Sequence, residues 1–452
     1  MRNFSSMLYK HLPIYFQNLY VRFENKKVKK ERYGEIYAEL LRELASKRAD
    51  EFGEAVQWKE IHKLLKHSIE HSPFYRKFYE GIDVEALKGL SDLPKLPVVE
   101  REAIHQNIQM MHAADDSAAA IAHEIDREGI PLKFLLTKGD IQKRNAFMDF
   151  FKQQDGADSK GLKQAIFTSR KIVPEAQEKK IYWRDNRPEK IRLYSNYYCT
   201  NGNSEVYIRN LNDFKPALII GTAPILYKLA AFLNEAQEKL ASPPQALFLQ
   251  GGLMDAAQRT EIEKAFGCPV RNLFLPSYEF PVMSECEAGK FHVHPKAGII
   301  ELAEDGEMIV TNFMSYGTPI IRCRTGEYAE VKDAESPCAC GSTQPVIKSR
   351  KDPDSSRLRT ADNAKVDIPQ LDETGHELSD GIKKIHFFQH KKEAIEVFVE
   401  AGESYTNELT ETIHQNLQSA FSQDTKFNIR VVEEMPRSLK DDFQLVINKL
   451  AK

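Results

Sequence analysis

The chain has 452 residues, 42% of them hydrophobic and 29% charged, with a formal net charge of -3. That composition excludes a disordered chain, and the length suits two or three ordinary domains, or one large and one small. The near-neutral balance offers no electrostatic case for a nucleic-acid partner, and no apolar run approaches the roughly 18 residues that a membrane span needs.

The N-terminus lacks the short apolar core and small-residue cleavage site of a signal peptide. Six cysteines in so long a chain suit reduced thiols or a metal site rather than a disulfide scaffold. A cytoplasmic protein is expected, with any membrane contact peripheral.

Residues 1–50 read as an N-terminal helical arm. Tyr9, Tyr15, Phe16, Tyr20 and Phe23 precede the cluster Lys26, Lys27, Lys29 and Lys30. Two readings stay open: a basic amphipathic helix touching an anionic membrane surface through residues 1–30, or an arm packed on the main body. Glu24 and Glu31 dilute the charge and Pro13 interrupts the helix, which favours packing.

Helical periodicity recurs at 36–46 and 58–70, followed by Pro73-Phe74-Tyr75 and a proline-punctuated loop at Leu93-Pro94-Lys95-Leu96-Pro97. From about 120 to 330, strands and helices alternate. Ala217 to Ile220 reads as a buried strand and Ile225 to Leu240 as an amphipathic helix. Ala246 to Leu249 reads as another strand, turning at Gly251-Gly252. Asp255 is a good N-cap for a helix that runs to Phe266 and stops at Gly267.

Short strands with Gly and Pro turns fill 290–331, and a polar linker spans 349–380. Two strands (Ile385–Phe388 and Ala394–Glu400), a helix (Asn407–Phe421) and a strand (Phe427–Val432) follow. The expectation is an α/β fold: a large layered α/β domain over 51–349, with a β-rich subdomain from about 281 to 349, and a small α+β domain over 350–452.

Cys286, His292, Cys338 and Cys340 have ligand spacing. A Cys/His pair straddles the turn at Ala288-Gly289, and Cys-x-Cys-Gly supplies two sulfurs from one tight loop. Together they can close a tetrahedral structural zinc site; isolated reduced thiols are the alternative, and His294 is the runner-up ligand. Cys199, Cys268 and Cys323 read as core thiols.

An ordered set of segments carries a resemblance. It runs from "LPIYFQNLY", "ERYGEIYAELLREL", "HSPFYRKFYE" and "LPKLPVVEREAI" through "FKPALIIGTAPILYKLAAFL", "LFLQGGLM" and "SECEAGKFHVHP" to "TPIIRCRTGEYAEV", "CACGSTQPVI" and "SRKDP". Taken together the chain resembles the phenylacetate–CoA ligase branch of the adenylate-forming superfamily, and more narrowly the CapK-like proteins associated with capsular polysaccharide loci. That resemblance implies ATP-dependent activation of a small carboxylate to an acyl-adenylate, with magnesium, and transfer to coenzyme A or another acceptor.

The resemblance also implies roles for particular residues. Gly251 and Gly252 would let the backbone approach an adenine, unless they form an ordinary strand-to-helix turn. In Leu275-Pro276-Ser277-Tyr278-Glu279, Tyr278 replaces a threonine beside the nucleotide, and Glu279 stands where a carboxylate helps hold magnesium, or is an exposed loop acid. Glu327 stands where an acid accepts the ribose hydroxyls. Arg322 and Arg324 would contact phosphate or brace a salt-bridged strand end, and Arg350 lies in the hinge motif on the nucleotide side.

Three departures touch one reaction. The phosphate loop appears as Glu124-Ile125-Asp126-Arg127-Glu128-Gly129-Ile130-Pro131-Leu132, with Asp126 and Glu128 where a triphosphate would lie. The C-terminal motif reads Pro436-Arg437-Ser438-Leu439-Lys440-Asp441-Asp442, so Lys440 could serve as the catalytic lysine by a shift of register alone. The hinge reads Ser349-Arg350-Lys351-Asp352-Pro353, and its proline stiffens a joint. The alternative to a ligase is therefore a catalytically degenerate relative that acts as a binding or assembly protein.

Overall fold

The computed structural model describes residues 12–46, 51–125, 131–154, 161–168, 172–173, 181–199, 201–250, 254, 256–274, 277–286, 288–332, 338–342, 344–350, 357–360, 365–367, 382–391, 393–402, 405–421, 425–432 and 446–448. Two compact units divide the chain: Met1–Glu124, Pro131–Thr325 and Glu330–Lys348 form the first, and Ile125–Ile130, Gly326–Ala329 and Ser349–Lys452 the second.

In the first unit, helix α1 (Ile14–Arg32) has Pro13 as its N-cap. The proline expected to interrupt a helix instead marks where one begins, because the first turn has no intrahelical partners for its N–H groups. Helices α2 (Glu35–Ser46), α3 (Glu54–His71), α4 (Pro73–Phe78) and α5 (Arg101–Met111) follow. Ser72 caps α4, its hydroxyl accepting from the amide of Tyr75, with Pro73 at the first helical position. Strands β1 (Ala120–Ile125) and β2 (Pro131–Leu136) make a small two-stranded sheet before α6 (Lys138–Gln154).

A long mixed sheet organises the rest. Its parallel part comes from β3 (Gln164–Thr168), β5 (Ile191–Ser195), β6 (Leu218–Gly221), β7 (Ala246–Gln250) and β8 (Val270–Phe274), ordered β5-β3-β6-β7-β8. Strand β4 (Trp183–Asn186) runs antiparallel on the β5 edge. Helices α7 (Ser204–Phe214), α8 (Ala223–Glu235) and α9 (Ala256–Phe266) make the crossovers.

Alternation along the parallel strands explains why both faces are covered. Ile219, Leu247 and Leu249 join Leu226, Leu229, Leu233 and Ile262 in one core. Leu218, Ile220 and Phe248 face the opposite way, packing with Leu40, Leu44, Phe147 and Phe150. Continuous apolar runs are the signature of a strand buried on both sides.

Beyond β8 the sheet turns antiparallel through β9 (Met283–Glu285) and β10 (Phe291–Val293), then β11 (Gly298–Leu302), β12 (Glu307–Asn312), β13 (Cys323–Lys332) and β14 (Val346–Arg350). The order continues β8-β9-β10-β14-β13-β12-β11.

The second unit holds β15 (Arg357–Arg359) paired with β16 (Lys365–Asp367). It also holds the strands β17 (Ile382–Lys391) and β18 (Ala394–Ala401), helix α10 (Asn407–Ala420), and the strands β19 (Lys426–Val432) and β20 (Val446–Asn448), with sheet order β19-β18-β17-β20. Ile395, Val397 and Val399 alternate inward against Ile413 and Leu417. The fold class is α/β, with a layered large unit and a small α+β one.

Candidate functional site

The parallel strands of the first unit all point toward one pocket. Thr168 ends β3, Asn196 follows β5, Thr222 follows β6, Gln250 ends β7, and Ser277 and Tyr278 follow β8; all line a cavity of about 610 Å³. Ligands of open α/β sheets bind outside the carboxyl ends of the strands, where connections diverge and leave a crevice. Ile121 and Glu124 of β1, Arg144 and Met148 of α6, and Val28 and Arg32 of α1 close the remaining sides.

The loop after β8 is held from two directions. Arg144 donates to the carbonyl of Ser277 at 3.0 Å and of Phe280 at 3.4 Å, and its guanidinium lies 4.9 Å from the Tyr278 ring centre. Glu124 accepts from the Tyr278 amide at 3.0 Å. Burial raises the Glu124 carboxyl above its ordinary range, the amide works against that, and the charge of Glu279 adds to the rise. Glu124 therefore turns an acid toward the cavity.

Deeper in the same wall, Asp140 accepts from the amides of Thr137 at 2.8 Å, Tyr316 at 2.9 Å and Gly317 at 2.9 Å. Those bonds tie the start of α6 to the turn after β12. Asp140 is thus a brace, and its carboxyl is raised by burial even against three donors.

Tyr278 lines the cavity. Glu279 is buried, and its Oε1 accepts from Arg101 Nη1 at 2.7 Å. A magnesium ion at this carboxylate would have to displace a guanidinium already neutralising it, so the residues as they stand do not fit the metal.

Arg322 pairs with Glu301 through Nε at 3.0 Å and Nη2 at 2.9 Å, and also donates to the Leu96 carbonyl. Arg324 pairs with Glu307, with Glu100 at 3.2 Å and with Asp305 at 3.5 Å. Neither arginine lines the cavity. Glu327 is a half-buried residue of β13, and Arg350 ends β14. Gly251, Gly252 and Lys440 lie outside the described residues, as do Asp126, Arg127 and Glu128. Cys323 is fully buried, and burial pushes its thiol up to about 12, so it is no nucleophile.

Reading the residues alone missed Arg101 and Arg144. Nothing local marks either of them, because a lone arginine on an amphipathic helix ordinarily faces solvent.

The four metal-type residues do come together. One donor atom from each of Cys286, His292, Cys338 and Cys340 lies within 4.8 Å of the others. Cys286 Sγ is 3.9 Å from Cys338 Sγ, and Cys340 Sγ is 3.7 Å from His292 Nε2. Edges of that length suit a tetrahedron with metal–sulfur bonds of about 2.3 Å and metal–nitrogen bonds of about 2.0 Å.

Two similar turns present the sulfurs. Gly289 N donates to the Cys286 carbonyl at 2.9 Å, and Gly341 N to the Cys338 carbonyl at 2.7 Å. Both glycines adopt positive φ, 68° and 82°, which closes each loop tightly. His292 Nδ1 lies 3.1 Å from the Gln344 carbonyl, so that nitrogen donates and Nε2 is left as the ligand atom. His294 is elsewhere: its ring packs on Phe52 at 5.0 Å and Phe147 at 5.4 Å, and it is not in the cluster. The runner-up ligand is thus an aromatic-core histidine.

Comparison with known proteins agrees with this architecture. Residues 358–449 match the CapK C-terminal domain. Over 449 residues the chain is 25% identical to Protein CapK of Staphylococcus aureus, covering 98% of this chain and 99% of that one. Among solved structures, 2-hydroxyisobutyryl-CoA ligase in the postadenylation state, in complex with R3-HIB-AMP, has a TM-score of 0.57 at 16% identity, covering 87% of this chain and 89% of that one. The same ligase in complex with 2-HIB-AMP and CoA, in the thioesterification state, gives 0.52 at 16% identity, covering 88% and 90%. The fold is that of the adenylate-forming ligases.

Proposed function

We propose that this chain is an adenylate-forming ligase-like protein that binds an adenine nucleotide and a small carboxylate in the cavity of its first unit. The reaction assigned is activation of the carboxylate to an acyl-adenylate, with transfer to coenzyme A or another acceptor, in capsule polysaccharide biosynthesis. The observation that carries it is the cavity itself, set at the carboxyl ends of five parallel strands in a fold shared with ligases that hold acyl-adenylates. In this reading residues 51–349 bind the substrates and 350–452 act as the companion domain. Gly251 and Gly252 would approach the adenine, Glu327 the ribose, and Lys440 the reacting phosphate.

Two observations favour a second reading, a degenerate relative that binds or assembles. Glu279 is neutralised by Arg101, and Glu124 turns a carboxylate toward the cavity. Both features disfavour a magnesium-bound triphosphate more than a nucleoside monophosphate.

The Cys286, His292, Cys338 and Cys340 cluster supports a structural zinc ion. All four positions would be protein ligands, so the ion would pin the β9–β10 hairpin to the 338–342 turn without taking part in chemistry.

Calorimetric titration with ATP and magnesium, followed by carboxylate-dependent pyrophosphate exchange, separates the readings. Binding with exchange supports the ligase. Binding of AMP or ATP without exchange selects the degenerate relative. No nucleotide binding at millimolar ATP sinks the ligase reading.

A further inference from the structure

Helix α1 packs on the body along one side. Gln17 and Val21 are buried there. Gln17 Oε1 accepts from Arg184 Nε at 2.7 Å, and Asn18 Oδ1 accepts from the Asp185 amide at 3.0 Å. These polar contacts dock the helix on the β4 edge of the sheet and fix which side faces out.

The outward side has a distinct composition. At about 100° per residue, Tyr15, Phe16, Leu19 and Phe23 fall on one arc with Arg22, Lys26, Lys27 and Lys30. Tyr15 is 73% exposed, Phe16 49%, Leu19 48% and Phe23 58%. Isolated exposed apolar residues need no explanation, but four on one helix face do. All four basic residues on that arc are exposed as well.

The charge is local. Within Ile14–Arg32 six basic residues stand against two acidic ones, in a chain whose formal net charge is -3. Lys27 Nζ lies 4.9 Å from the Phe23 ring centre, so this aromatic and this cation share one stretch of surface. Aromatic rings settle at the boundary between headgroups and acyl chains, while lysine stems carry their charge outward to phosphates. The polarity along this face, apolar ahead of basic, complements an anionic lipid surface.

We infer that the outward face of α1 seats this protein on an anionic lipid surface. Tyr15, Phe16, Leu19 and Phe23 enter the headgroup boundary, and Arg22, Lys26, Lys27 and Lys30 engage lipid phosphates. Among the described residues no helix is long and apolar enough to cross a membrane, so the association is adsorption to one face. The inference does not depend on adenylation chemistry. It does bring the surface close to the cavity, since Val28 and Arg32 at the far end of α1 line it.

Flotation of the full chain with vesicles tests this, using phosphatidylcholine alone and phosphatidylcholine mixed with phosphatidylglycerol. Binding is expected to the mixed vesicles and to weaken as salt rises from about 0.1 M to about 0.5 M. The F16S/F23S variant should bind about tenfold more weakly or worse, and K26S/K27S/K30S should lose the preference for phosphatidylglycerol. Because these side chains are exposed, both variants should melt like the parent, and a variant that does not is replaced by Tyr15→Ser with Leu19→Ser. Absence of binding to mixed vesicles overturns the inference. So does self-association that F16S/F23S abolishes while vesicle binding is nil, which would make the face a contact between copies.

Discussion

Arg101 and Glu279, 178 positions apart in the chain, meet at 2.7 Å with side chains 13% and 4% exposed. The pair fixes the first turn of α5 against the loop after β8, beside the cavity. Removing one partner leaves a charge buried without compensation, which typically costs about 3 kcal/mol or more. Arg101→Met should therefore lower stability in urea by roughly that amount. Combining it with Glu279→Leu should cost less than the sum of the two single changes. Strictly additive effects would show that the two groups do not interact in solution.

Purified protein should carry about one zinc ion by atomic emission, the stoichiometry of a closed four-ligand site. Cys338→Ser and Cys340→Ser should each lose the metal and lower the melting temperature, and chelation of the parent should do the same. His294→Ala should keep the metal, since His294 lies among Phe52, Phe147 and Phe150. A folded parent with no metal would remove this assignment.

Two histidines hold the turn that follows β12. His67 Nε2 lies 3.0 Å from the Tyr316 carbonyl, and His112 Nδ1 lies 3.0 Å from the Thr318 hydroxyl. Burial lowers both below the ordinary histidine value of 6.5, and Lys133 lowers His112 further. A lowered folded value means that the unfolded chain takes up protons first as pH falls. Stability should be level above about pH 7 and decline as pH drops below 6.5. Melting curves from pH 7.5 to about 5 should show the decline, and His112→Gln should flatten it. An unchanged slope in that variant would assign the decline to other groups.

Gly317 sits where α6, β2 and the Tyr316–Thr318 turn converge. Its amide donates to Asp140 at 2.9 Å, and a methyl group there would collide with the Leu135 carbonyl. Gly317→Ala should destabilise by about 2 kcal/mol or more, since backbone on both sides cannot move apart cheaply. Equilibrium unfolding measures it, and Gly53→Ala, with open space around it, is the matched control.

Much of the fold was legible in local pattern. The apolar runs at Ala217–Ile220 and Ala246–Leu249 became β6 and β7, within a residue or so at each end. Period-two alternation in Ala394–Glu400 became β18, with Ile395, Val397 and Val399 inward. The 3.6-residue period of Asn407–Phe421 became α10. Such elements are legible because burying an apolar face dictates which residues repeat and how often. The cysteine and histidine quartet was legible too, because two sulfurs on one turn and a Cys/His hairpin are constrained by ligand reach.

What tertiary structure alone decided is which charges meet. Arg322 and Arg324 carry the resemblance to a nucleotide site in sequence, yet folding commits them to Glu301 and Glu307. Arg101 and Arg144 carry no motif, yet folding brings them to the loop after β8. The partner of a charged side chain is chosen by distances across the fold, which have no period and leave no mark on neighbouring residues. The sequence by itself therefore determined the architecture and the metal-type quartet. The chain's path through space determined which carboxylates face the cavity and which are already neutralised.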